Sequence, residues 1–232
     1  VGGAISNDVH GKNHHAFGSF GAHVLSITLL RTDGEILECS HHEKSEWLYA
    51  TLGGIGLTGL ILEAKLQLRS VNGPWLQSET IPYYSLQEFF NLADSSEADW
   101  EHTVSWIDCI NSSSTKGLFI RGNLAQIQNQ SAPKLKDKTF PFTPPISLVN
   151  KISLPIFNFA YFHKNALKKR NQLVHYEPFF YPLDSIHAWN KMYGPLGFYQ
   201  YQSVVPREVG LEATQEMLKM IKKSGEGSFL AV

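Results

Sequence analysis

The chain has 232 residues, 43% of them hydrophobic and 18% charged, a globular balance that excludes a disordered polypeptide. A formal net charge of −1 argues against nucleic acid as a partner, because phosphate backbones are held mainly by surplus Lys and Arg. No stretch approaches about 20 uninterrupted apolar residues, so none reads as a transmembrane helix, and the 2 cysteines, Cys39 and Cys109, supply neither a disulfide framework nor a zinc spacing.

Val1 runs straight into Gly2-Gly3, and Ser228 to Val232 reads as a strand in progress, so both ends are expected to be cuts through a longer polypeptide. His23 to Leu30 is a predicted strand. Asp33-Gly34 marks a hairpin, and Ile36 to Cys39 is the return strand. Glu43 to Thr51 reads as a short helix, Gly53 to Gly59 as a tight turn, and Leu60 to Leu68 as a half-buried strand whose inward side is Leu60, Leu62, Ala64, Leu66 and Leu68. Glycine thins and aromatics rise near Val71, which places a domain boundary between 1–70 and 71–232. Beyond it a strand is expected over Leu76 to Ile81, then a helix from Ser85 to Ala93. Ser85 and Glu88 there have the spacing of a capping box. Strands follow at Thr103 to Ile110 and Leu118 to Leu124, then a polar loop from Gln126 to Pro145. Ile146 to Phe162 is strongly apolar and broken by Pro155. It reads as a buried connector or as a surface against lipid or a partner. Gln172 to Phe180 is a predicted strand, Asp184 to Met192 a helix capped by Asp184, Phe198 to Val205 a strand, and Leu211 to Lys223 an amphipathic helix. The irregular alternation of strands and helices, with a hairpin, predicts an α+β fold rather than a doubly wound sheet.

Three stretches have the residues for chemistry. The first runs from Val1 to His15. Paired glycines let a phosphate or flat ring approach the backbone, successive N–H groups can form an anion nest, and His10 and Lys12 add a titratable donor and a cation. A glycine-rich turn with surface histidines is the alternative. The His10/His14 spacing would suit a metal only on a helix, which Gly11 and Asn13 disfavour. His41-His42 reads as solvated surface. The second stretch, Gly53 to Gly59, does not meet the strand–glycines–helix order of a dinucleotide fingerprint. It leads into a strand against a flat cofactor, or it serves tight packing. In the third, Phe180 to Gln202, the side-chain amides of Gln200 and Gln202 fall on one face of the expected strand. That suits a polyhydroxylated ligand or a solvated sheet face.

The runs Gly2-Gly3-Ala4-Ile5, Asp8-Val9-His10-Gly11-Lys12-Asn13-His14-His15, Ala50 to Gly59, Ser105-Trp106-Ile107-Asp108 and Gly197-Phe198-Tyr199-Gln200-Tyr201-Gln202 resemble, in the same order, the vanillyl-alcohol-oxidase-type family of FAD-linked oxidoreductases. The resemblance implies the second subdomain of an FAD-binding domain over 1–70. It implies a substrate domain with an antiparallel sheet over 71–232, both incomplete. By motif position it assigns Val1, Gly2, Gly3, Asn7, Asp8, Val9, His10 and Ile61 to FAD, with Ile61 at the adenine end. It assigns His10, Gly11, Lys12, Trp106, Phe180, Leu183, Gln200 and Gln202 to the substrate, and Lys12 to electrostatic work in catalysis. The implied reaction is oxidation of the 2′-hydroxyl of a polyprenyl-phosphate-linked ribose in an arabinan precursor pathway of cell-wall synthesis. A nicotinamide-dependent reductase partner would complete a 2′-epimerisation, and peripheral membrane contact and a bacterial cytoplasmic or membrane-associated setting are expected with it. An oxidase of another sugar or alcohol, and a cofactor-free carbohydrate-binding module, are the other readings.

Overall fold

In a computed structural model, residues 1–110, 115–127, 133, 138–168 and 170–232 are described. They divide into two compact units, Val1–Val71 and Asn72–Val232, each of mixed helices and antiparallel sheet.

The first unit is built on the three-stranded sheet β2-β1-β3, with β1 Val24–Leu30, β2 Ile36–Ser40 and β3 Leu60–Leu66. The Asp33-Gly34 hairpin forms. Gly34 takes a φ of 87°, Asp33 accepts a hydrogen bond from the Glu35 N–H at 3.0 Å, and Leu30 faces Ile36 across the turn. Helix α1 covers Gly2–Ser6, α2 His14–Phe17 and α3 Ser45–Thr51. The core comprises Ile5, Val24, Ile27, Leu29, Leu37, Cys39 and Leu48, with Phe20, Trp47, Leu52, Ile61 and Leu66 packed against it.

Strand β3 departs from the simple alternation. Leu29 faces Ile61 and Thr28 faces Glu63, so Leu62 is an extra residue in a bulge. The bulge reverses the parity at the start of the strand. Ile61 and Leu66 reach the core, whereas Leu60 and Leu62 are exposed and Leu68, also exposed, lies beyond the strand. The first glycine pair also differs from a loop, since Gly2 and Gly3 form the opening turn of α1. His41 and His42 are exposed, as expected, and the His41 ring in addition bonds the Val24 carbonyl at 2.9 Å and the Tyr49 hydroxyl at 3.1 Å.

The second unit centres on the antiparallel sheet β5-β6-β4-β8, formed by β4 Trp75–Tyr83, β5 His102–Ile107, β6 Gly117–Leu124 and β8 Asn171–His175. Glu79 and Arg121 stand directly opposite on β4 and β6 and pair at 2.6 Å, with Arg121 also bonding the Ser96 hydroxyl at 3.0 Å and lying over the Trp100 ring. Helix α4, Leu86–Ser96, starts as its capping box requires. Ser85 Oγ accepts from the Glu88 N–H at 3.1 Å, while the Glu88 carboxylate reaches one residue further back, to the Tyr84 N–H, at 2.6 Å.

Helix α5, Ser153–Ala166, lays Leu154, Asn158 and Phe162 against the sheet, where Phe162 joins Trp106 and Leu118 in a core cluster. Pro155 lies in its first turn, where the missing N–H costs little. The apolar stretch from Ile146 to Phe162 is therefore not a buried connector, because one side of α5 is exposed along its length.

Four further expectations are corrected. The strand beginning near Gln172 stops at His175, and Tyr176–Phe180 form a short helix, α6, around Pro178, which cannot donate to a ladder. Asp184 caps no helix. It lies in a turn, followed by β9, Ile186–His187, which pairs in parallel with β7, Lys138–Thr139. A 3₁₀ turn over Trp189–Tyr193 comes next, with Ala188 left-handed at φ 56°. Phe198 to Val205 forms no strand, since its backbone pairs with no ladder among the described residues. Ser228 to Val232 is likewise no ladder strand, although Ile107 donates to the Ala231 carbonyl at 3.0 Å. Of the polar stretch from Gln126 to Pro145, residues 128–132 and 134–137 lie outside the described residues, and Lys138–Thr139 form β7. Helix α7, Gly210–Ser224, ends on left-handed Gly225.

Candidate functional site

Residues Val1 to Phe20 form a folded turn system held by their own backbone. Asn7 closes α1 by returning both its N–H and its side-chain amide to the Gly3 carbonyl, at 3.1 and 2.9 Å. Asp8 turns the chain at φ 42°, and its carboxylate accepts from the Ser19 hydroxyl at 2.8 Å and from the Gly21 N–H at 2.7 Å. Val9 and His10 then run beside Ser19 and Phe20, with Phe20 N–H to Val9 O at 2.8 Å and a bridge between His10 and Ser19. His14 is tied to the Gly11 carbonyl at 3.1 Å, and its ring meets that of His10 edge-on at 5.2 Å. The turn between those histidines presents Lys12, half-buried, whose ammonium is pushed down to about 8 by burial.

The two glycine stretches, which the sequence leaves separate, meet here. Gly53 N–H bonds the Ile5 carbonyl at 3.2 Å and Ile55 N–H the Ser6 carbonyl at 2.8 Å, so the second stretch satisfies the end of α1. Within it, a side chain on Gly54 would overlap the Ala50 carbonyl and one on Gly59 the Leu30 carbonyl. Packing accounts for both glycines. Gly2 and Gly3 are different. Neither has a positive φ, and a Cβ at either position would meet nothing within 4 Å. Among the described residues nothing requires glycine there, and each leaves backbone bare on an open side.

Ile61 packs on the same core as Ile5. In the second unit the expected substrate residues come from separate segments: Trp106 from β5, Phe180 from α6, Leu183 from the turn after it, and Gln200 and Gln202 from the stretch beyond Phe198. Trp106 is 4% exposed, packs in the cluster with Leu118 and Phe162, and donates its indole N–H to the Phe229 carbonyl at 2.9 Å. Phe180 ends α6 half-buried, 5.0 Å from the His102 ring, and Leu183 lies in the following turn, also half-buried. Gln200 and Gln202 lie exposed on the irregular stretch from Phe198 to Val205. Asn190, Gly194, Pro195 and Phe198 line an open hollow of about 460 Å³ with Thr143, Lys191 and Gly197. Among the described residues no group of three His, Cys, Asp or Glu could hold a metal ion.

Sequence reasoning placed Asp8 beside a ligand and missed its structural work, the bonds its carboxylate accepts from Ser19 and Gly21. The bonds made by Ser19 and by the amides of Gly53 and Ile55 were not legible, because they join residues far apart in the chain.

No protein-family model matches the chain. Curated relatives do. The chain belongs to the vanillyl-alcohol-oxidase-type family of FAD-linked oxidoreductases. Decaprenylphosphoryl-β-D-ribose oxidase of Mycolicibacterium smegmatis is 35% identical to it over 245 aligned residues, which take in 100% of this chain and 53% of that protein. An uncharacterised oxidoreductase of the fasciation locus of Rhodococcoides fascians is 32% identical over 38% of this chain and 18% of its own length. Cytokinin dehydrogenase 2 of Arabidopsis thaliana is 35% identical over 29% of this chain and 14% of its own. The chain thus spans about half the length of the relative it matches throughout.

Proposed function

We propose that this chain is the central part of an FAD-dependent oxidoreductase that oxidises a sugar hydroxyl, the 2′-hydroxyl of a polyprenyl-phosphate-linked ribose, as one half of a 2′-epimerisation. In this reading 1–70 is the second FAD subdomain and 71–232 the substrate domain. The bare backbone at Gly2 and Gly3 carries the reading: it faces open space, where a flat group with an anionic tail can approach without meeting a Cβ, and it belongs to the same turn system as the half-buried Lys12. Val1, Gly2, Gly3, Asn7 and the chain through His10 would hold that cofactor, which when bound supplies the hydride acceptor. Asp8 keeps this stretch in place through Ser19 and Gly21. Lys12, protonated, stabilises negative charge on the substrate oxygen or its phosphate. Gln200 and Gln202 orient the sugar, and a nicotinamide-dependent reductase consumes the keto product.

Purified intact protein tests this directly. It should show a flavin absorption band that Gly3→Val abolishes, while Lys12→Ala keeps the band and loses turnover of the lipid-linked ribose by about a hundredfold or more. A colourless intact protein that binds sugar would instead be a cofactor-free module, and unchanged turnover in Lys12→Ala would remove Lys12 from the mechanism. Because Lys12 acts as a cation and its ammonium titrates near 8, turnover should be full below that pH and fall as pH rises through it. Lys12→Arg should push that falling limb to higher pH.

A further inference from the structure

Helix α5 is apolar on two sides, and the sheet covers only one. Leu154, Asn158 and Phe162 face inward at spacing i, i+4, i+8. On the opposite side Ile152, Ile156, Phe159 and His163 recur at i, i+4, i+7, i+11, which places them in one line along the helix. Ile152 is 78% exposed, Ile156 67% and Phe159 61%. Just upstream, Phe142, Ile146 and Leu148 are exposed as well. A helix that is apolar all round is ordinarily buried on all sides, in a core or in lipid, and a contiguous exposed apolar patch marks an interaction site.

Charge says what covers it. From Lys138 to Tyr176 the chain carries six cationic residues, Lys138, Lys151, Lys164, Lys168, Lys169 and Arg170, and no Asp or Glu. The rest of the chain is net acidic, so this concentration is local. Lys151, Lys164 and Lys168 are exposed, and the Lys116 ammonium lies 5.8 Å from the Phe159 ring centre. Arg170 is shared with Glu79 at 3.5 Å. Apolar side chains in a line, rimmed by cations and lacking acidic neighbours in sequence, complement a surface that is apolar beneath and anionic on top. No helix among the described residues is long and apolar enough to cross a membrane.

We infer that the outward face of α5 is a docking surface for an anionic lipid bilayer. The helix lies in the plane of the interface, with Ile152, Ile156 and Phe159 among the acyl chains and the lysines at the headgroups. This surface does not depend on what the protein oxidises.

Flotation of the intact protein with vesicles tests the inference. It should bind mixed phosphatidylcholine–phosphatidylglycerol vesicles well above pure phosphatidylcholine, and added salt should weaken that preference. The triple variant Ile152→Ser, Ile156→Ser, Phe159→Ser should bind about tenfold or more weakly. Lys164→Gln and Lys168→Gln should each cost roughly fivefold on the anionic vesicles only. These side chains are exposed, so circular dichroism and thermal melts should match the parent. Binding that the triple variant retains, or no binding by the parent, overturns the inference. A parent dimer that the triple variant splits into monomers assigns the face to a second copy and overturns it too. An Ile156→Cys variant that resists maleimide without vesicles means that the protein covers its own face, with the same consequence.

Discussion

Helices α5 and α7 belong to the same unit and have nearly the same length, 14 and 15 residues, yet they treat water oppositely. On α7 the half-buried residues Leu211, Thr214, Leu218 and Ile221 recur with helical spacing, and the exposed side carries Glu212, Glu216, Lys219 and Lys223, with Glu216 and Lys219 paired. Packing within the chain explains that division completely. On α5 the same kind of packing explains Leu154, Asn158 and Phe162 but leaves Ile152, Ile156 and Phe159 without a reason inside the molecule. An amphipathic helix reports where its own core is. A helix apolar on both sides reports a second environment.

Substitutions can sharpen or break this contrast. The largest effect is expected on the inward side of α5. Phe162→Ala removes a ring that is 1% exposed and packed on Trp106 and Leu118, and should cost about 3–4 kcal/mol in denaturant unfolding. Next comes Asn158→Leu. The Asn158 amide donates to the buried Asp108 carboxylate at 2.8 Å, and losing that donor should cost about 2 kcal/mol. The smallest effect is expected outside. Ile156→Ser on α5 and Met220→Ser on α7 should each change stability by no more than about 0.5 kcal/mol. A large loss from Ile156→Ser with none from Met220→Ser would mean that the protein itself buries the outer side of α5, and the contrast between the two helices would disappear.

Local signals survived into the structure wherever a few adjacent residues decide the outcome. Asp33-Gly34 makes its turn because glycine alone accepts a φ of 87° cheaply and aspartate bonds its own backbone two residues on. Ser85 and Glu88 start α4 for a similarly short-range reason. The readings that changed depended on partners distant in sequence. Phe198 to Val205 has the composition of a strand, but a strand exists only when a neighbour offers a ladder. The inward side changed at the start of β3 because one bulged residue, Leu62, reverses the parity there, so that Ile61 rather than Leu60 and Leu62 joins Leu66 at the core. Trp106 belongs to a motif that points to a ligand, yet its indole completes the sheet–helix core.

The candidate site divides along the same line. Composition and spacing alone were enough to mark Gly2, Gly3, His10 and Lys12 as unusual, since paired glycines beside a titratable cluster are a local pattern. Only the tertiary structure distinguished glycines that packing demands, Gly54 and Gly59, from the two that it does not. Only the tertiary structure showed that the Asp8 carboxylate is occupied by Ser19 and Gly21, and that Gly53 and Ile55 finish the first helix. A sequence can state which backbone is free to be bare. Whether anything in the protein stands over it is a question of what folds back from fifty residues away.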